Sequence, residues 1–276
     1  MRFYTVALLL LALLVVSVPS FARDWNVPDQ APTIAAAIDS ASSGDVIVIA
    51  CGTYAEHDLA LKNGLTLRSA TGAADCVTVD AEGLGRAFLC EEISDVTLQG
   101  LTITGGISDS GGAILCTNDF SLILQDCVLT DNGTLASYCE GGAIWTIGSG
   151  SLVASGCLFQ NNQAQTVGGA IVMQYGTTLD LDHCTIVDNV TDGTVAGAIY
   201  VWDATVLAEY TEIANNLAAG SRHDVELAQP TSLAQLRCCD VDLAYWGGEG
   251  TVTLDNEGCD VPIRQSTWGH LKSLYR

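Results

Sequence analysis

Residues 121–132 read SLILQDCVLTDN, and the same frame returns without a gap as SLVASGCLFQNN from Ser151, TLDLDHCTIVDN from Thr178 and TVLAEYTEIANN from Thr205. An earlier copy, DVTLQGLTITGG, starts at Asp95, and a degraded one, LAQLRCCDVDLA, at Leu233. The position of Leu101 recurs as Cys127, Cys157, Cys184, Thr211 and Cys239, in steps of 26, 30, 27, 27 and 28 residues. A second motif precedes each of the four gapless copies: GGAI at Gly111, Gly141 and Gly168, then AGAI at Ala196. Two motifs that advance together at such a period are the signature of a solenoid.

Each repeat holds two short apolar runs with alternation, divided by Gly, Asn, Asp and Ser, and no helix-length amphipathic segment. That is strand patterning. Three columns are expected to face inward. The first is Val96, Leu122, Leu152, Leu179, Val206 and Ala234, and the second is Leu98, Leu124, Ala154, Leu181, Ala208 and Leu236. The third is Ile103, Leu129, Phe159, Ile186, Ile213 and Val241. Residues between them, such as Thr97, Asp180 and Gln235, are expected to meet solvent. One coil cannot bury its own apolar face, but coils stacked at about 4.8 Å build a continuous core. Asn132, Asn162, Asn189 and Asn216 end the second run of successive copies, where stacking would align them as an amide ladder and Asn tolerates left-handed backbone. The fold class is therefore read as all-β: a single-stranded right-handed parallel β-helix of about seven coils over residues 47–253.

A solenoid needs its ends covered. Residues 23–46 are read as the N-terminal cap, in which Thr33 caps a short helix with Ile34, Ala37, Ile38 and Ala41 on one face. Residues 254–276 are read as a C-terminal cap or tail, ending in STWGHLKSLYR. Before the cap, Arg2, the apolar run Val6 to Val16 and the small-residue site Ser20-Phe21-Ala22 read as a signal peptide over 1–22, too short for a stable membrane span. Export to the cell surface or beyond is the expected localisation.

Removing that segment leaves nine basic residues against 32 acidic ones, a formal charge of −23. Such a surface repels nucleic acid and anionic membranes and disfavours polyanionic sugars. A monomer is expected, with a carbohydrate or a surface protein as partner. No CxxC occurs and the histidines are scattered, so neither a metal nor a cofactor is expected. The cysteine count of 11 is odd and leaves a thiol unpaired. Cys90 and Cys116 occupy equivalent places on adjacent coils, Cys51 and Cys76 flank the first coil, and Cys238 lies within reach of Cys259. Cys51–Cys76 and Cys90–Cys116 are expected as disulfides. Most of the Cys127, Cys157, Cys184, Cys239 column is expected buried and reduced.

The opening PTIAAAIDSA followed by GDVIVIACGTYAEH resembles that of pectin-lyase-like β-helix proteins, pectin methylesterases among them. The GGAI motif, paired with apolar-x-x-Asn (Leu129/Asn132, Phe159/Asn162, Ile186/Asn189, Ile213/Asn216), resembles the polymorphic outer-membrane protein repeat, which implies a bacterial surface setting. Together the resemblances cover about residues 27 to 245 and imply the fold more strongly than the function. The QDT and DFIFG-like segments that supply the methylesterase acid and nucleophile are absent, as is the polygalacturonase set of NTD, DD, GHG and RIK.

No catalytic residue is assigned. Asp180 and Asp182 lie outward on one strand with Glu209 on the next coil and His183 adjacent, a set that could hold calcium or serve as acid and base on a glycoside. No basic residue is expected nearby to grip a uronate. Trp145, Tyr200 and Trp202 follow the GGAI motifs, and they face outward if Ile144, Ile171 and Ile199 face inward. Aromatic rings on a regular sheet stack on sugars or anchor a partner protein. The leading functional expectation is a noncatalytic exported protein for adhesion, carbohydrate contact or surface architecture. The alternatives are a polysaccharide-active lyase, esterase or hydrolase, or a calcium-stabilised module.

Overall fold

A computed structural model describes residues 22–135 and 139–259. The expected signal segment, apart from Ala22, and the tail from residue 260 onward lie outside the described residues.

The chain winds into a parallel β-solenoid with three principal sheets. Sheet one has ten strands, beginning Asp24–Val27, Val46–Ile49, Thr66–Ser69 and Val96–Gln99 and ending Leu233–Arg237, Thr251–Asp255. Sheet two runs through eight strands from Gly52–Ala55 to Asp240–Val241, and sheet three through eight from Leu59–Ala60 to Trp246–Gly248. A fourth sheet consists of six two-residue strands, the first of them Ile107–Ser108. The reading of about seven coils therefore stands.

Register follows the repeat. Leu122 pairs with Val96 and Leu152, Leu152 with Leu179, Leu179 with Val206, and Val206 with Ala234. Leu124 and Leu129 head the matching second and third columns, on Leu98 and Ile103. Nearly all these side chains are fully buried, each Leu or Ile contributing about 1.5–3 kcal/mol through lost contact with water. Thr97 and Asp180 stay partly exposed and Gln235 exposed, as alternation requires.

The turns explain the glycine pair. The first residue is left-handed, with φ of 62° at Gly111, 67° at Gly141 and 65° at Gly168, and Ala196 takes φ 58° in the same place. The second glycine answers a different need: a Cβ on Gly142 would collide with the carbonyl oxygen of Gly169 on the next coil.

The amide ladder is present. Asn132 Nδ2 donates to Asn162 Oδ1 at 3.0 Å, Asn162 to Asn189 at 2.9 Å, and Asn189 to Asn216 at 3.0 Å. One detail is corrected. The left-handed backbone belongs to the preceding residues, Asp131, Asn161, Asp188 and Asn215, with φ between 55° and 60°. The ladder asparagines turn inward because the residue before each has already made the corner.

At the N-terminal end the helix Ile34–Ser40 lies over the stack with Ile34, Ala37 and Ile38 buried. Thr33 Oγ1 accepts from Ala36 N, and the Glu56 carboxylate takes the N–H groups of Ile34 and Ala35 at 2.8 Å each, satisfying donors the first turn leaves free. The cap segment 23–46 is more than a helix, since Asp24–Val27 already pairs with Val46–Ile49 as the first rung of sheet one.

Two disulfides clamp the ends, Cys51–Cys76 and Cys238–Cys259, with Cα atoms 4.5 and 5.3 Å apart. The expected Cys90–Cys116 bond is corrected. These residues are register partners on adjacent coils, yet both are free thiols buried in the core. Register alone does not make a bond: Cys51 and Cys76 stand one place before the paired Gly52 and Val77 and are joined, whereas Cys90 and Cys116 point into the packed core and keep their thiols. Cys127, Cys157, Cys184 and Cys239 are likewise free and buried. Each thiol donates to a carbonyl of the preceding coil, as Cys184 Sγ does to Ala154 O at 3.3 Å.

Candidate functional site

Ile144, Ile171 and Ile199 are fully buried, so alternation turns Trp145, Val172 and Tyr200 to the outer face of sheet three. Register lines them up: Trp145 pairs with Val172, Val172 with Tyr200, and Tyr200 with Glu226. Trp145 and Tyr200 therefore stand two coils apart, roughly 10 Å. The parallel outer column runs Thr117, Ile147, Gln174, Trp202. The Tyr200 and Trp202 rings are tilted to one another at 33° with centroids 6.4 Å apart. All three expected aromatics thus lie on one face, each half-buried, with the indole N–H of Trp145 out of solvent.

Four polar residues join them. Glu140, from the loop before Gly141, accepts a 2.6 Å hydrogen bond from Gln174 Nε2. Burial pushes the Glu140 carboxyl above its ordinary range. Gln174 and the nearby indole N–H of Trp145 oppose this, although the indole is not in hydrogen-bonding geometry. On the other side, Glu226 Oε2 stands 3.2 Å from His223 Nε2. Their contact pushes the imidazole pKa up against burial. Gly247 makes room for both, because a Cβ there would collide with them. Tyr200 lies between the two carboxylates. Its phenol is pushed up to about 12, first by burial and then by Glu140, Glu226 and Tyr175.

Sequence reasoning found the aromatics and missed Glu140, Gln174, His223 and Glu226. A signal for the last two was available. Arg222-His223-Asp224-Val225 occupies the frame of the GGAI motif, since Val225 pairs with Ile199. Charged residues standing where the turn elsewhere demands glycine mark a departure from pure repetition. Asp224 takes the alanine place and is fully buried. There it accepts from Asn216 Nδ2 at 2.9 Å and from Arg222 Nε at 3.0 Å.

The acidic set lies on the outer face of sheet one. Asp180, Asp182, Glu209, Gln235, Arg237 and Asp255 line a shallow groove of about 620 Å³. Burial, then Asp182 and Glu209, hold the Asp180 carboxyl above its ordinary range. His183 is held by Asp182 at 2.7 Å and stacks on Tyr210 with centroids 4.8 Å apart. The expectation of no basic neighbour is corrected: Arg237 pairs in register with Glu209 and lies 3.4 Å from its carboxylate. The degraded last copy, LAQLRCCDVDLA, carries that arginine in the outward column. Among the described residues, no three acidic, histidine or cysteine side chains are arranged to hold a metal ion.

Three stacked parallel sheets closed by inward columns define the class as a parallel β-helix. The family profile for the right handed beta helix region matches residues 61–218. The chain belongs to that family. Among solved structures, the pectin methylesterase from Aspergillus niger in deglycosylated form is 12% identical, with a TM-score of 0.48 over 94% of this chain and 97% of that one. The rice weevil pectin methyl esterase is 12% identical, with a TM-score of 0.39 over 85% and 89%. No curated protein matches the sequence.

Proposed function

We propose that this is an exported, noncatalytic β-helix protein that binds carbohydrate on the outer face of sheet three. One observation carries the reading. Trp145, Tyr200 and Trp202 share one face of a rigid sheet, with Glu140, Gln174 and Glu226 among them as hydrogen-bonding groups. Flat aromatic surface edged by polar groups is the chemistry that holds a sugar ring. The signal-like segment and the two disulfides support export, and the likeness of the repeats to the polymorphic outer-membrane protein repeat supports a surface setting. In a glycan-binding screen with calorimetric follow-up, Trp145→Ala and Trp202→Ala should each weaken binding about tenfold, the size expected of an interfacial aromatic anchor. Both should leave the unfolding midpoint near that of the parent. Equal affinity in parent and variants would reject this face.

A second reading, a polysaccharide-active enzyme, draws on one observation, the raised Asp180 carboxyl beside Asp182 and Glu209 in the groove. Against pectin, polygalacturonate and common glucans, with and without calcium, the protein should release no product. Turnover that vanished in Asp180→Ala or Asp182→Ala would establish the enzyme reading.

A further inference from the structure

The sheet-three face has a lopsided charge. Two carboxylates, Glu140 and Glu226, both act on Tyr200, and the outer columns of that sheet from Leu89 to Gly247 and from Glu91 to Trp202 contain no lysine or arginine. Among the described residues, His223 is the basic side chain within reach, and it stands against Glu226. Arg222, the nearest arginine in sequence, is turned to the buried Asp224 and stacked on Tyr245 at 4.1 Å. Among the described residues, Glu140 has neutral donors, Gln174 and the nearby Trp145. The faces of Tyr200 and Trp202 add further negative quadrupole beside these carboxylates.

We propose that the sheet-three face selects sugars that carry a free amine, seating the ammonium beside Glu140 and Tyr200 while the sugar ring lies on the aromatics. This rests on the carbohydrate reading above and narrows it to a substrate class. An ammonium supplies the positive charge that Glu140 lacks, and desolvation against Trp145 and Tyr200 strengthens both the ion pair and the cation–π contact. A uronate meets two carboxylates, and the basic side chain of this face, His223, already stands against Glu226. An N-acetylated sugar keeps the stacking and loses the charge.

The test uses the full chain and three oligosaccharides of equal length: a glucosamine oligomer, its N-acetylated form and oligogalacturonate. Affinities are measured by calorimetry in weakly acidic, low-salt buffer. The glucosamine oligomer should bind at least about tenfold tighter than the acetylated one, about 1.4 kcal/mol, and oligogalacturonate should not bind. Glu140→Gln should reduce the preference to about threefold or less, chiefly by weakening the glucosamine oligomer. Because the whole protein is acidic, Asp180→Asn serves as the control, and it should leave the preference intact. Equal affinity for amine and acetylated oligomers, or a preference that Asp180→Asn abolishes as fully as Glu140→Gln does, overturns the inference while leaving the carbohydrate reading in place. Failure of all three sugars to bind removes both.

Discussion

Asn189 sits in the middle of the amide ladder and is fully buried. Its Nδ2 donates to Asn216 Oδ1, Phe159 O and Val187 O, each at 3.0 Å. Its Oδ1 accepts from Asn162 N at 3.0 Å and from Asn162 Nδ2 at 2.9 Å. Asn189→Ala leaves two donors of Asn162 without that acceptor, in a place water does not reach. At about 1–3 kcal/mol for each orphaned buried group, the loss comes to about 2–6 kcal/mol. The measurement is urea unfolding, with amide exchange at Asn162 as the local readout, because a solenoid can open near a damaged coil before it melts as a whole. Asn189→Asp sharpens the test. It keeps the acceptor and turns the donor into a second acceptor facing three oxygens. At neutral pH it should lose at least as much stability as the alanine variant, and it should recover part of that loss in acid, where a protonated carboxyl donates one bond. A loss below about 1 kcal/mol in the alanine variant would refute the claim that the ladder holds the corner. Full stability of Asn189→Asp at neutral pH would refute the reading that this position must donate.

Alkylation under native conditions, followed by peptide mapping, should recover Cys51–Cys76 and Cys238–Cys259 as bonds and leave Cys90, Cys116 and the Cys127 column unlabelled until denaturant is added. Opening Cys51–Cys76 by double serine substitution should cost about 2–4 kcal/mol. The pH dependence has a definite sign. Burial holds Glu140, Asp180 and Asp224 above their ordinary values, so the stability they contribute is complete below the unfolded value and is lost as pH rises through the folded one. Asp45 is held low, chiefly by the Ser42 N–H, and its contribution is lost as pH falls through its folded value. The unfolding midpoint should therefore peak in weak acid and decline toward neutrality, and Asp224→Asn should flatten the decline. A midpoint that climbs steadily to neutral pH would contradict this.

The fold was legible because stacking turns equal spacing into adjacency. Leu122, Leu152 and Leu179 touch because they hold the same place in successive coils, and the same holds for Asn162 and Asn189. The capping helix was legible from Thr33 and the spacing of Ile34, Ala37 and Ile38. The candidate site was only half legible. Trp145, Tyr200 and Trp202 ride on the repeat, so alternation fixed their side. Glu140 comes from a turn whose length varies between coils, and its reach to Gln174 depends on the path of that turn. Glu226 and His223 appear where the repeat breaks down. The Cys90–Cys116 error came from judging a pair by the coil rise, when bonding depends on how the Cβ vectors converge.

Each ladder asparagine both receives and gives, so amides can follow one another without limit. Asp224 only receives: it takes both the backbone N–H and the side-chain amide of Asn216 at 2.9 Å, and the Arg222 guanidinium stands against its other oxygen. The series thus has a direction and a full stop. A duplicated coil placed anywhere ahead of Asp224 finds a donor on one side and an acceptor on the other, and the sentence still parses. Placed after Asp224, the same coil has nothing left to receive from, so this family of lengths grows from one side only.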